Sequence, residues 1–409
     1  MNAIIVTIGD ELLQGFTLNT NASWIGKTLL PYNINIKKVI TVGDQLDQII
    51  NEINNVLKEN CNYLFITGGL GPTHDDITKS AFIKIIDDEL VFDEKYYNEL
   101  KQKFDKLSIK MLEMHRSQAL RLKKSDPIPN DCGSALGIHY SFQNKQIFIM
   151  PGVPREMKHM IKNHILPNYI KLIPEKNITT IKTFGITESH LSEKIHSLMK
   201  KYKSEFKFAF LPHYTGVSFR ITKLNSNSKL SKIKNEFLKG IGKYAYGSDE
   251  DTLESIINKI LINSNLTIAT AESCTGGMIS KFLTDSPGSS NYFLGGITPY
   301  NNQLKESLLN ISKVSIDKHG AVSEEIATEM AKKIRKITNS DIGISTTGIA
   351  GPEGGTKYKP VGLVYIGIST KNQNITKKYN FNFDRKNNRI ITAYKALDII
   401  RKLIDENNL

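Results

Sequence analysis

Cysteine is scarce in this chain. The three that occur, Cys61, Cys132 and Cys274, lie far apart and follow no metal-binding spacing. So sparse and odd a set excludes a disulfide framework and fits a reducing compartment, the cytoplasm. No apolar run is long enough to cross a bilayer. The opening segment, MNAIIVTIGDELL, has neither a basic n-region nor a small-residue cleavage site, so it does not read as a signal peptide. Internal repeats, low-complexity tracts and basic runs interleaved with aromatics are also missing. That last absence bears on the net charge of +13. Such an excess suits nucleic-acid phosphates or small phosphorylated substrates. The lysines are spread along the whole chain, so a dedicated nucleic-acid surface is not expected.

What is present is an ordinary globular balance, 40% hydrophobic over 409 residues, enough for two or three domains. Residues 3–10 (AIIVTIGD), 34–44 (INIKKVITVGD) and 62–72 (NYLFITGGLGP) read as strands ending in glycines or carboxylates. Residues 19–30, 45–59 and 76–86 between and after them have helical periodicity, the first with Asn19 or Asn21 as its cap. This alternation predicts a mainly parallel α/β sheet, with a ligand site beyond the carboxyl ends of its strands. The segment 145–161 adds a further strand, a Pro-Gly-x-Pro turn and a helix. From 168 to 250 the pattern is helix, hairpin, helix: a small α+β module without glycine loops, read as a connector or dimerisation element. A second α/β domain fills 251–409, its strands again running into glycines at 270–277 and 341–355. The expected domains are therefore 1–167, 168–250 and 251–409.

The first candidate site is TGGLGPTHDD, 67–76. Gly68, Gly69 and Gly71 let backbone amides approach an anion. Asp75 and Asp76 follow at once. Carboxylates beside a phosphate site make sense when a hard cation such as Mg²⁺ bridges them to phosphate oxygens. The plainer reading is that one of them caps the next helix. Asp44 and Asp10-Glu11, at two other strand ends, favour function. The stretches IGDELLQGFTLNTN, VGD, TGGLGPTHDD and MPGVPREM resemble the amino-terminal, MoaB/MogA-like (molybdopterin-binding-like) domain of the CinA family. The resemblance implies that Asp44 and Asp76 act at a phosphate or pyrophosphate. It also implies that Asp44, Asp75 and Asp76 hold a divalent cation, Mg²⁺, and that ADP-ribose is a candidate substrate. The same fold binds pterins without hydrolysis.

The second candidate site centres on TAESCTGG, 270–277. Ser273, Thr275, Gly276 and Gly277 are read as ligand contacts where a strand becomes a helix. Cys274 is read as a small buried filler. Together with DSPGSSNYFLGGITPYNNQLK (285–305), HGAVS (319–323) and TTGIAGPEGG (346–355), the stretch resembles the carboxy-terminal amidohydrolase domain of the same family. Asn301 stands where many members have serine. The resemblance implies metal-free deamidation of nicotinamide mononucleotide to nicotinic acid mononucleotide and ammonia. It places the nucleophile at Ser290, the base at Lys305 and a proton relay at Tyr300. Ser273 remains the rival nucleophile. Thr347 and Gly348 are expected as contacts, and Arg385 as the phosphate holder. A serine needs a neighbour to take its proton, and a lysine serves when burial keeps it neutral.

The resulting expectation is a cytoplasmic two-site hydrolase of pyridine-nucleotide recycling, a homodimer. The competing classes are a non-catalytic, competence- or DNA-damage-linked binding protein and a pterin-binding amino-terminal domain.

Overall fold

Every residue from Ala3 to Ile8 is buried. A strand buried along its whole length has to be covered on both faces, and alternation along it assigns each side chain to one cover. Ile4, Val6 and Ile8 point into one core, Ala3 and Ile5 into another. The helices Leu46–Lys58 and Thr78–Ile86 close the first core with Ile49, Ile53, Ala81 and Phe82. Thr20–Leu29 and Pro154–Met160 close the second with Ile25, Leu29, Met157 and Met160. Asn19 Oδ1 caps the Thr20–Leu29 helix by accepting from Ala22 N at 3.1 Å.

The computed structural model describes residues 1–73, 76–171, 176–213, 215–225 and 228–406. They form two compact units, Met1–Asn177 and Ile178–Leu409. The sheet of the first unit runs Asn35–Val42, Asn2–Ile8, Tyr63–Thr67, Lys145–Met150, Gly137–Phe142, Asp126–Ile128. The first four strands are parallel and the last two antiparallel. The four parallel strands therefore release their following loops, which begin at Gly9, Gly43, Gly68 and Pro151, along one edge.

The second unit starts with the small α+β module. Its four-stranded antiparallel sheet has the order Phe206–His213, Gly216–Lys223, Ile178–Thr183, Ala245–Ser248. Helices Glu188–Tyr202 and Leu230–Ile241 pack on it through Leu191, Ile195, Ile233 and Phe237. The module lies in the same compact unit as the closing domain. Arg401 of the last helix joins them: its guanidinium donates to Lys243 O and Ala245 O while paired with buried Asp398 at 2.8 Å. The closing domain has a five-stranded sheet, Phe293–Ile297, Ile268–Glu272, Ile342–Gly348, Leu363–Ser369, Asn374–Asn380. Its first three strands are parallel. Leu253–Asn263, Met278–Thr284 and Arg385–Asp405 cover one face, and Glu324–Thr338 lies on the other.

Phe65 sits in the middle of the first sheet, fully buried, its ring 5.2 Å from that of Phe148. Phe65→Ala is expected to cost about 3–5 kcal/mol of stability. Urea unfolding read by fluorescence checks this; a loss below about 1 kcal/mol would contradict the packing described.

Candidate active sites

The loops at the carboxyl edge of the first sheet enclose a cleft of about 500 Å³. Asp44, Gly68, Gly69, Gly71 and Asp76, all expected from the sequence, line it together. Glu11, Gln118, Ser134 and Glu156 line it too. Asp75 lies outside the described residues. Gly68 has φ +112, and a Cβ there would stand 2.1 Å from Ile8 O, so only glycine lets this turn lie against the neighbouring strand end. At Gly71 a Cβ would meet Asp76 Oδ2 at 2.4 Å. The aspartates are held by their own loops. Asp76 Oδ2 accepts from Thr73 N at 2.9 Å and Thr73 Oγ at 2.6 Å. Asp44 and Asp10 exchange bonds, each carboxylate accepting from the other's backbone N–H. One oxygen of each carboxylate is thereby engaged, and its orientation is fixed.

Two polar groups beside these carboxylates carry no sequence signal. Gln118 is fully buried; its Nε2 donates to Leu70 O at 3.2 Å, and its Oε1 has no hydrogen-bond partner. A buried carbonyl left open is costly, and a ligand N–H or O–H entering the cleft would satisfy it. Lys79 is buried one turn beyond Asp76. Burial pushes its amine down to about 8, against the pull of Asp76.

The second site is built on the strand Ile268–Glu272. Glu272 is fully buried, and its carboxylate accepts from Ile279 N, Ser280 N and Ser280 Oγ at 2.8–3.0 Å. It thus fastens the start of helix Met278–Thr284 to the strand end and closes the loop 273–277 between them. Gly276 and Gly277, with φ +60 and +88, make the left-handed bend this closure needs. Ser273 N donates to Thr346 O on the adjacent parallel strand.

Lys305 lies on the helix Asn302–Leu309 and is only 2% exposed. Asn301 caps that helix, its side chain accepting from Leu304 N at 2.8 Å, the role a serine would fill. Lys305 Nζ donates to Pro299 O at 3.0 Å and stands 3.3 Å from Ser273 Oγ. Burial lowers the Lys305 pKa below the ordinary lysine value. Ser273 is itself 9% exposed.

The hydroxyl that Lys305 meets is thus Ser273's, and among the described residues no hydrogen bond joins Lys305 to Ser290. Topology explains the difference from expectation. Ser290 is exposed, in the single 3₁₀ turn Ser289–Asn291 that precedes the strand Phe293–Ile297. That strand runs parallel to Ile268–Glu272 with Phe293 opposite Ile268. Ser290 therefore lies at the amino edge of the sheet and Ser273 at the carboxyl edge. Five residues of strand, roughly 16 Å, separate the two edges.

The remaining expected residues divide between the pocket and its frame. Thr275 is fully buried with its Oγ 2.7 Å from Thr346 Oγ, and Thr347 Oγ donates to Ala321 O at 2.7 Å. Both hydroxyls are spent within the protein. The second bond gives the HGAVS segment its place under the site. Gly348 ends the strand beside them. Arg385 opens the last helix. Its Nη1 donates to Gly351 O and its Nη2 to the Tyr300 hydroxyl, each at 2.8 Å. Tyr300 is 56% exposed, so this pair stands in solvent near the lysine helix. Arg389, absent from the sequence expectation, holds Thr275 O at 2.8 Å.

Residues 250–404 match the family "CinA C-terminal domain", residues 4–171 "Probable molybdopterin binding domain" and residues 179–247 "Damage-inducible protein CinA KH domain". A competence-damage inducible protein of Clostridium perfringens is 38% identical over 99% of this chain and 100% of its own length. A CinA-like protein of Thermotoga neapolitana is 34% identical over 99% of this chain and 98% of its own. Among solved structures, a competence/damage inducible protein from Agrobacterium tumefaciens is 33% identical, covering 37% of this chain and 93% of that one, with a TM-score of 0.36.

Cys274 is buried, and burial pushes its thiol up to about 12. Thiolate chemistry at neutral pH is thereby shut off. Thiol titration of the native protein is expected to label the half-buried Cys132 and to reach Cys61 and Cys274 only on unfolding. Rapid labelling of Cys274, located by peptide mass, would contradict this.

Proposed function

Because the chain belongs to the CinA family, with its characteristic pair of α/β domains around a small module, we propose that its carboxy-terminal domain is a serine-lysine amidase. The substrate is nicotinamide mononucleotide, and the products are nicotinic acid mononucleotide and ammonia. The observation that carries this reading is the buried Lys305 amine beside the Ser273 hydroxyl. Neutral Lys305 takes the Ser273 proton as Oγ bonds to the carboxamide carbon. The amide nitrogen leaves as ammonia, receiving that proton back. Water, deprotonated by the same amine, then splits the nicotinoyl ester and frees Ser273. The positive pyridinium ring of the substrate further disfavours a charged lysine, which keeps the base ready. Arg385 and Tyr300 supply a cation and a hydroxyl at the exposed rim for the substrate phosphate.

For the amino-terminal domain we propose a nucleotide pyrophosphatase acting in the cytoplasm on ADP-ribose or a similar diphosphate. The support is a cleft that combines glycine-turn amides with the carboxylates of Glu11, Asp44, Asp76 and Glu156. Among the described residues no three of these carboxylates gather their oxygens into one ready-made cage. That suits Mg²⁺, which is held by one or two carboxylates and completes its shell with water and phosphate. Asp44 and Asp76 would hold it; Asp75, the third ligand expected from the sequence, lies outside the described residues. The ion would supply neutralisation of charge on the phosphates. Gln118 Oε1 is the acceptor for the ligand's own N–H or O–H groups.

Three variants test the amidase. Ser273→Ala is expected to end ammonia release from nicotinamide mononucleotide, and Lys305→Ala to lower it about 10²–10⁴-fold. Ser290→Ala is expected to leave it within a few-fold of the parent. Loss in Ser290→Ala with retention in Ser273→Ala would return the nucleophile to position 290. The pH profile is a separate check. Only the neutral amine accepts a proton, so turnover falls as pH drops below the Lys305 pKa. This acid limb should lie below the ordinary lysine range. In the other domain, Asp76→Asn or EDTA should stop ADP-ribose hydrolysis. Hydrolysis that survives EDTA would refute the metal, and tight pterin binding without hydrolysis would favour the binding-only reading.

A further inference from the structure

His159 and His164 are five residues apart, a spacing that an α-helix spreads about 140° around its axis. Here the helix Pro154–Met160 widens into a π-helical turn, Ile161–Ile165. A turn that closes between residues five apart brings such positions back to one side. Both rings consequently face Asp131, in the loop between the strands Asp126–Ile128 and Gly137–Phe142. Its Oδ2 lies 2.8 Å from His159 Nε2 and 2.9 Å from His164 Nε2. The donor atoms of the three residues all lie within 4.8 Å of one another, and among the described residues no other set of His, Cys, Asp or Glu does this.

We propose that Asp131, His159 and His164 bind one divalent transition-metal ion of the zinc class: Zn²⁺, or Co²⁺ in its place. Two imidazoles and one carboxylate form a donor set these ions prefer and Mg²⁺ does not. Around a tetrahedral ion with bonds of about 2.0–2.1 Å, donor atoms stand about 3.3 Å apart. Each histidine-to-aspartate pair needs to open by only about half an ångström to reach that spacing. At 28%, 23% and 53% exposure for His159, His164 and Asp131, they leave room for a water in the fourth position. The surroundings are already set. The Asn163 amide lies 3.0 Å from the His159 ring nitrogens. Asn130, beside Asp131 and fully buried, donates to Ala135 O and to Glu156 Oε2.

None of the three residues lines the carboxylate cleft, yet both segments they join do: Ser134 and Ala135 lie on the loop, Glu156 on the helix. A bound ion would clasp loop to helix and stiffen that wall. This inference is independent of either proposed activity.

The test uses the full-length chain, stripped with chelator and dialysed, then titrated with Co²⁺ while its visible d–d absorption is followed. One equivalent per chain is expected, displaced by Zn²⁺, with affinity reduced at least about tenfold in His159→Gln, His164→Gln and Asp131→Asn. Asp317→Asn, at an exposed carboxylate outside either site, should bind as the parent does. Zn²⁺ should also raise the thermal midpoint of the parent and not that of the His164→Gln protein. The histidines are part-exposed, so these variants are expected to fold, and far-UV circular dichroism checks it. A second histidine variant covers the failure of one. No saturable band in the parent, or an undiminished band in both histidine variants, would overturn the proposal.

Discussion

A lysine amine taken out of water is the constraint on which the carboxy-terminal site depends. Lys305 gives up its hydration and receives in exchange the Pro299 carbonyl and the Ser273 hydroxyl. Neither carries a negative charge, so burial of the protonated form is not fully repaid and the Lys305 pKa falls below the ordinary lysine value. Much of the surrounding structure maintains this arrangement. Asn301 fixes the start of the lysine helix, Glu272 fixes the loop that bears Ser273, and Thr275 and Thr346 lock that loop to the next strand.

Both α/β domains solve the same problem by the same topology. Neighbouring parallel strands discharge their loops along one edge, and there each domain collects its polar groups. The chemistry differs because the residues at the edge differ. The first domain presents carboxylates and glycine amides, with one open buried acceptor. The second presents hydroxyls and a desolvated amine, with an arginine at its rim. A carboxylate cleft favours a cation and its phosphate ligand, whereas the amine beside a serine favours acyl transfer.

The strands, the glycine turns and the residues of the first cleft were legible in the sequence because each rests on a local pattern: an apolar run, a tight turn, a carboxylate at a strand end. What escaped depends on non-local geometry. Ser290 and Ser273 both sit in glycine-containing turns, and spacing alone does not say that one turn enters a parallel strand while the other leaves one. Thr275 and Thr347 belong to motif loops, yet their hydroxyls serve the frame. Gln118 reaches the cleft from a segment without a periodic or turn signature, and Glu156 from the first turn of the helix after the Pro-Gly-x-Pro turn, where the local pattern does not say which side chain faces the cleft. The His159–His164 pair is invisible to helical-wheel reasoning, since only a π-helical turn places residues five apart together.

The account's central claim is that the hydroxyl activated by Lys305 is the one at the carboxyl end of the Ile268–Glu272 strand. Rapid acid quenching of the protein during turnover of nicotinamide mononucleotide, followed by peptide mass spectrometry, reads this directly. The account predicts a nicotinoyl ester on the peptide carrying Ser273. The same adduct on the peptide carrying Ser290 would contradict it.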